Sequence, residues 1–289
     1  MKLRQSERKR AKIKLAIQGS AGSGKTYSSL LLASGLTNGN FSKIAIIDTE
    51  NGSADLYAHL GRYNVISLQP PFSPEKYAQA IEVCEKAKME VIIIDSISHS
   101  WEYLLDFHSK MAGNSFTNWA KIKPLEKVFL NKILQSPCHI IGTMRTKQDY
   151  VLQQKDGKYI PEKVGLKSIS RDGTDYEFTL VFDIDIKHYA ISSKDRTGLF
   201  MGKPEFIINK GTGKKILEWC NSGTNLEDAR LEIKKCKTIE GLRELYQKYN
   251  QWKVDLDNDF KLQKETIESK KQLLNPKNFS TNGASNHTT

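Results

Sequence analysis

The stretch GSAGSGKT, Gly19 to Thr26, has the Gly-x-x-x-x-Gly-Lys-Thr spacing of a loop that wraps phosphate. Gly22 and Gly24 let backbone N–H groups turn inward around phosphate oxygens, and the loop opens a helix whose N-terminal partial charge favours anions. The backbone of Gly19, Ser20, Ala21, Gly22, Ser23 and Gly24 would therefore cradle the phosphates of ATP. Lys25 would bridge the β and γ phosphates, and the Thr26 hydroxyl would ligate Mg2+.

A magnesium site needs a carboxylate partner, and VIIIDS delivers Asp95 from the end of a buried strand, where ligands bind in parallel sheets. Hydrolysis needs a group that positions or deprotonates water. IIDTENGSAD offers Asp48 and Glu50 at the tip of another strand, with Glu50 the better placed beyond it and a turn-capping role its alternative. Far downstream, ISSKDRTGLF puts Lys194 and Arg196 at alternate positions, hence on one face of a strand. A solvated turn in which Lys194 and Arg196 pair with Asp195, or with nothing, is the plainer account of that step.

The elements that must position these groups follow from the apolar pattern. IKLAIQG (13–19), KIAIIDTE (43–50), VISLQ (65–69), VIIIDS (91–96) and HIIGTMR (139–145) read as strands that want cover on both faces, which means a parallel sheet between helices. Helical spacing follows Ser73 and Pro74 and recurs at about 98–111 and 122–136. Residues 149–165 carry a hairpin signal around Lys155, Asp156 and Gly157, and 177–186 with 187–193 read as antiparallel edge strands. The fold class is α/β, divided into a basic arm (1–11), a core (12–222), a small module of two or three short helices (223–274) and a disordered tail (275–289).

Composition narrows the function classes. The net charge of +11 is concentrated in the first fourteen residues, which contribute +6 and favour a polyanion or simply a solvated arm. No apolar run approaches a membrane span and no signal-peptide pattern is present, so a cytoplasmic protein without membrane attachment is expected. The four cysteines and six histidines lack metal-ligand or redox spacing.

IIDTE, VIIIDS and HIIGTMR, in that order after the phosphate loop, resemble the RecA-type ATPase core over roughly residues 12–200, and within it the phage-borne RecA-like ATPases that include single-strand annealing proteins. The resemblance implies a RecA-like P-loop NTPase core in which Glu50 activates water and the strand ending GTMRTKQ supplies a γ-phosphate sensor, Thr143 or Arg145. It also implies that Lys194 and Arg196 reach the ATP of a neighbouring subunit, so the protein would be a homo-oligomer, a ring or a filament.

RecA-type proteins hold DNA through loops after the fourth and fifth strands. The second loop here would carry Lys147, Tyr150, Lys155, Lys158, Tyr159, Lys163, Lys167 and Arg171, a basic and aromatic mixture suited to single-stranded DNA. The first would lie within 108–121, with Lys110, Phe116 and Trp119. The basic arm could grip DNA or dock on a neighbour, and the C-terminal helices could engage a single-strand-binding protein. The expectation is a Mg2+-dependent, DNA-stimulated ATPase of phage recombination that promotes annealing or strand pairing. A replication motor or helicase loader, and a nucleotide-gated DNA-binding module with little turnover, are the alternatives.

Overall fold

A computed structural model describes residues 8–155, 158–171, 173–223 and 226–274, with 148–155, 158–166, 251 and 271–274 described by backbone alone. The expected tail at 275–289 and most of the basic arm lie outside the described residues.

The chain forms two compact units, one of them Ala11–Asn221. It begins with β1 (Lys14–Gly19), α1 (Lys25–Leu36), β2 (Ile44–Asp48), a 3-10 segment (Ser53–Leu60), β3 (Asn64–Ser67), α2 (Pro74–Lys86) and β4 (Val91–Asp95). It continues through α3 (Ser98–Ser109), α4 (Ser115–Gln135), β5 (His139–Lys155), β6 (Lys158–Ser168) and α5 (Thr174–Glu177). β7 (Leu180–Ile184), β8 (Tyr189–Asp195), β9 (Phe206–Ile207) and α6 (Lys210–Asn221) close the unit.

Among the described residues the sheet has nine strands in the order β3-β2-β4-β5-β1-β7-β8-β9, with β6 paired to β5. The first six of that row are parallel; β6, β8 and β9 join antiparallel. The mixed α/β architecture expected from the buried runs is therefore present, with antiparallel strands added at the edge.

Alternation along the strands splits the core into two layers. Ile17, Ile46 and Ile93 pack with Leu30, Leu32 and Leu36 of α1 and Ile216 of α6. Ala16, Ile47, Ile92 and Ile94 pack with Tyr77, Ile81 and Cys84 of α2 and Phe129 and Ile133 of α4. The four cysteines carry no disulfide.

Two elements differ from the sequence pattern. Pro124, which would normally sit near a helix start, lies inside α4, because Asn114 caps an earlier beginning by accepting the Phe116 N–H at 2.8 Å. The buried stripe Asn118, Ile122, Glu126, Phe129 and Ile133 runs past Pro124, which faces solvent. Most of the segment expected to form a first DNA loop, 108–121, is consequently helical. β5 also does not stop at Arg145 but continues unbroken into the hairpin with β6.

The second unit contains α7 (Leu226–Lys235), α8 (Ile239–Lys248) and α9 (Lys253–Leu274) around Ile233, Leu242, Tyr249, Trp252, Leu256 and Phe260. α9 has 22 residues, so the module is not built from short helices alone. Arg10 belongs to this unit through an ion pair with Asp228 at 3.0 Å.

A buried histidine at the start of β5 gives the core a pH dependence. His139 is 2% exposed, its Nδ1 accepts the Ile13 N–H at 3.1 Å, and its Nε2 lies 3.4 Å from Lys12 Nζ. Burial, then the charges of Lys12 and Lys14, push its pKa from 6.5 down to about 3. The unfolded chain takes up this proton below about pH 6.5 and the folded chain does not, so the stabilisation is complete above 6.5 and is lost as pH falls towards 3. We expect His139 to contribute about 1.4 kcal/mol of destabilisation per pH unit in that window. Melting of His139→Gln between pH 6.5 and 4.5 should show a shallower loss than the parent; equal slopes would remove the histidine from the account.

Candidate nucleotide site

The parallel register brings the carboxyl ends of four strands to one edge: Gly19 pairs with Arg145, Asp48 with Asp95, and Ile94 with Gly142. α1 starts there with Gly24 at its N-cap, and no side chain caps its first amides. Those uncapped N–H groups at a positive helix end suit an anion, so the loop fits phosphate on its own geometry. Gly22 and Gly24 have φ of 78° and 87°, a left-handed conformation that side chains resist. A Cβ on Gly24 would also lie 3.2 Å from His188 Nδ1. His188, in the turn between β7 and β8, buttresses the loop from outside, its Nδ1 3.0 Å from the Ser23 carbonyl.

Lys25 Nζ donates to the carbonyls of Gly19 and Ser20 at 3.0 and 2.8 Å, folded over the loop that it would leave for a phosphate. Burial lowers its pKa, while the carboxylates of Asp95 and Glu50 oppose that shift. Beside it, Thr26 and Thr143 donate to the two oxygens of Asp95, each at 2.5 Å. Burial pushes the Asp95 carboxyl above its usual range against those two bonds, with Glu50 and Asp48 adding to the rise. A buried carboxylate touching the loop threonine is a fitting partner for Mg2+, and Thr26 and Asp95 would hold the ion together with the phosphates. Among the described residues no group of three or more His, Cys, Asp or Glu could hold a metal ion.

Glu50 lies just beyond β2, and its carboxylate takes a bidentate pair of bonds from Arg145, Nε at 3.0 Å and Nη2 at 2.5 Å. Burial raises its pKa, but the hydrogen bond and charge of Arg145 outweigh this and hold the group below the usual range. The two residues offered as alternative sensors thus do different things: Thr143 holds the candidate metal carboxylate and Arg145 holds the candidate base. Asp48 is occupied as a turn former, accepting the N–H groups of Glu50 and Ala54 at 2.6 and 3.2 Å.

Sequence reasoning passes over Thr49, His99 and His188. Thr49 Oγ1 accepts the Ser96 N–H at 2.8 Å and sits 2.7 Å from His99 Nδ1. His99 stacks on Phe72 at 4.9 Å and lies 4.0 Å from Glu50; burial and then Arg145 lower its pKa, while Glu50 opposes that shift. A lone histidine past a strand end carries no periodic signal that would single it out. Next to the loop, Tyr27, Tyr57, His188, Ile207 and Ile208 help line a cleft of about 680 Å³ that leaves room for a nucleoside.

Lys194 and Arg196 are not brought to this site. Lys194 pairs with Val181 on β7, whose other end, Ile184, is the partner of Gly19. That is ~10 Å of strand towards the opposite edge of the sheet. Lys194 Nζ donates to the carbonyls of Asp175 and, very closely, Tyr176, and Arg196 Nη2 reaches Tyr176 at 3.2 Å. Neither pairs with Asp195, whose carboxylate instead gathers the N–H groups of Thr197, Gly198, Phe200 and Met201.

Of the expected DNA contacts, Lys147 and Lys167 face each other across β5 and β6, and Arg171 lies near them. Tyr150, Lys155, Lys158, Tyr159 and Lys163 occupy positions further along the hairpin, and their side chains lie outside the described residues, as does the turn at Asp156 and Gly157.

A strand, a glycine loop, a helix with uncapped amides and the acidic end of β4, one strand removed, define a P-loop nucleotide-binding protein. Residues 11–220 match the model of a family described as AAA domain, and the chain belongs to that family of P-loop ATPases. No curated protein matches the chain. Among the described residues, no helix is long and apolar enough to cross a membrane.

Proposed function

We propose that the protein is a Mg2+-dependent RecA-like ATPase, of phage origin and acting in the cytoplasm, that assembles as a homo-oligomer on single-stranded DNA and promotes annealing or strand pairing. The observation that carries the reading is the Arg145–Glu50 pair. Arg145 holds the candidate base, and it stands on the same strand that runs on into the basic hairpin. A ligand gripped by the hairpin can therefore bias the chemistry at its root.

Steady-state ATP hydrolysis with and without single-stranded DNA tests this. We expect low basal turnover, because Arg145 occupies Glu50 in the resting chain, and clear stimulation by DNA. Absence of stimulation at saturating DNA would remove the DNA-coupled reading. Binding of DNA with no hydrolysis under any condition favours a nucleotide-gated binding module, a reading that the occupied Glu50 also supports.

A further inference from the structure

The turn between β7 and β8 is shaped to touch the phosphate loop. β7 runs parallel to β1 with Ile184 opposite Gly19, so both strands end at one edge of the sheet and the turn emerges beside the loop. Asp185 fixes it: its Oδ1 accepts the N–H groups of Lys187 and Tyr189, each at 2.9 Å, and its carbonyl accepts the His188 N–H at 3.1 Å. Ile186 faces Gly22, where an added Cβ would lie 3.6 Å from the isoleucine Cδ1.

His188 has φ of 72°, a left-handed conformation that glycine would adopt with less strain. A side chain kept at such a position points to a task for it. The imidazole Nδ1 lies 3.0 Å from the Ser23 carbonyl, and because a carbonyl only accepts, Nδ1 must carry the proton.

The consequence falls on the other side of that peptide unit. The Ser23–Gly24 bond is trans and planar, so its C=O and N–H point in opposite directions. Holding the Ser23 carbonyl out towards His188 turns the Gly24 N–H the other way, into the loop where a phosphate would lie. The two residues' own side chains do not fix this orientation: Gly24 has none, and the buried Ser23 Oγ makes no hydrogen bond with the described residues. A peptide beside glycine rotates readily. Rotated, it would aim a carbonyl at the phosphates instead of an amide.

We infer that His188 is a positioning residue for nucleotide binding: its Nδ1–H holds the Ser23 carbonyl and so presets the Gly24 amide for a phosphate oxygen of Mg-ATP. This role rests on the loop's binding of ATP and not on any action on DNA. The amide meets the phosphates before and during reaction alike, so its loss should appear in binding rather than in the chemical step.

The test uses the full chain with Mg2+ and a fluorescent ATP analogue. His188→Gly and His188→Asn both accept the left-handed backbone, but only asparagine keeps a donor, its Nδ2 standing in for Nδ1. His188→Gly is expected to weaken binding by about 2- to 12-fold, the worth of one hydrogen bond, and to raise KM by the same factor with kcat little changed. His188→Asn should restore most of the affinity, with both variants melting close to the parent when free of nucleotide. Parent-like affinity in His188→Gly, or equal losses in the two variants, would overturn the donor role. Nitrogen NMR of the parent with labelled histidine gives a reading that needs no glycine variant to fold: the His188 ring should be protonated at Nδ1, and a ring protonated only at Nε2 would also overturn it. If the parent bound no ATP analogue, the nucleotide site itself would fall, and this role with it.

Discussion

Arg196→Ala is expected to keep ATP binding and to lose about 10³- to 10⁵-fold in turnover, the range over which a guanidinium supplied to a transferring phosphoryl group acts. Its own chain gives Arg196 little to do: it makes a 3.2 Å bond to the Tyr176 carbonyl at the edge of the sheet away from the phosphate loop. Removing it should leave the fold intact, because the neighbouring loop is held by Asp195, whose pKa burial would raise but whose bonds from Thr197, Phe200 and Met201 lower. A large loss of turnover in a well-folded protein would then mean that the side chain works in another subunit. Mixing Arg196→Ala with Glu50→Ala should recover part of the activity, since some shared sites would receive both intact halves. Proven co-assembly without any recovery would end the case for a shared site, and Lys194→Ala offers an independent check on the same face.

Glu50→Gln should cost about 10²- to 10⁴-fold in kcat, the usual contribution of a positioned base, with nucleotide affinity little changed. The substitution keeps the size of the side chain and removes the charge that Arg145 grips at 2.5 and 3.0 Å. Loss of binding in step with turnover would instead make Glu50 a structural part of the loop. The contrast with Lys25 and Thr26 is useful, because those residues would meet the phosphates and metal directly and their loss should appear in affinity first.

Most of the candidate nucleotide site is legible in the sequence because its parts obey strong local rules. A glycine loop needs left-handed positions at Gly22 and Gly24, and runs such as VIIID can only be strands buried on both faces, so Asp95 must emerge at the sheet's carboxyl edge. What the sequence hides depends on contacts between distant segments. Nothing local says that Arg145 will close on Glu50, that Thr143 will turn to Asp95, or that His188 will lean on the loop from another strand turn. The start of α4 is obscured for a different reason: Pro124 mimics a helix boundary, and it takes the Asn114 cap and the burial of Asn118 to show that the helix began earlier. The pairing of Trp101 with Trp119 likewise needs two helices to meet.

β5 also has an implication for how such a protein could change over generations. Thr143, Arg145 and Lys147 stand at alternate positions of one strand, so they share a face at intervals of ~6.6 Å. In order they meet the candidate metal carboxylate Asp95, the candidate base Glu50 and the cleft lined by Trp101 and Trp119. Inserting or deleting one residue among them would turn part of that row to the wrong side of the sheet. Length variation should therefore be purged from 139–147 and accepted only towards the hairpin tip, making this segment a ruler whose graduations are fixed even where its far end is free to drift.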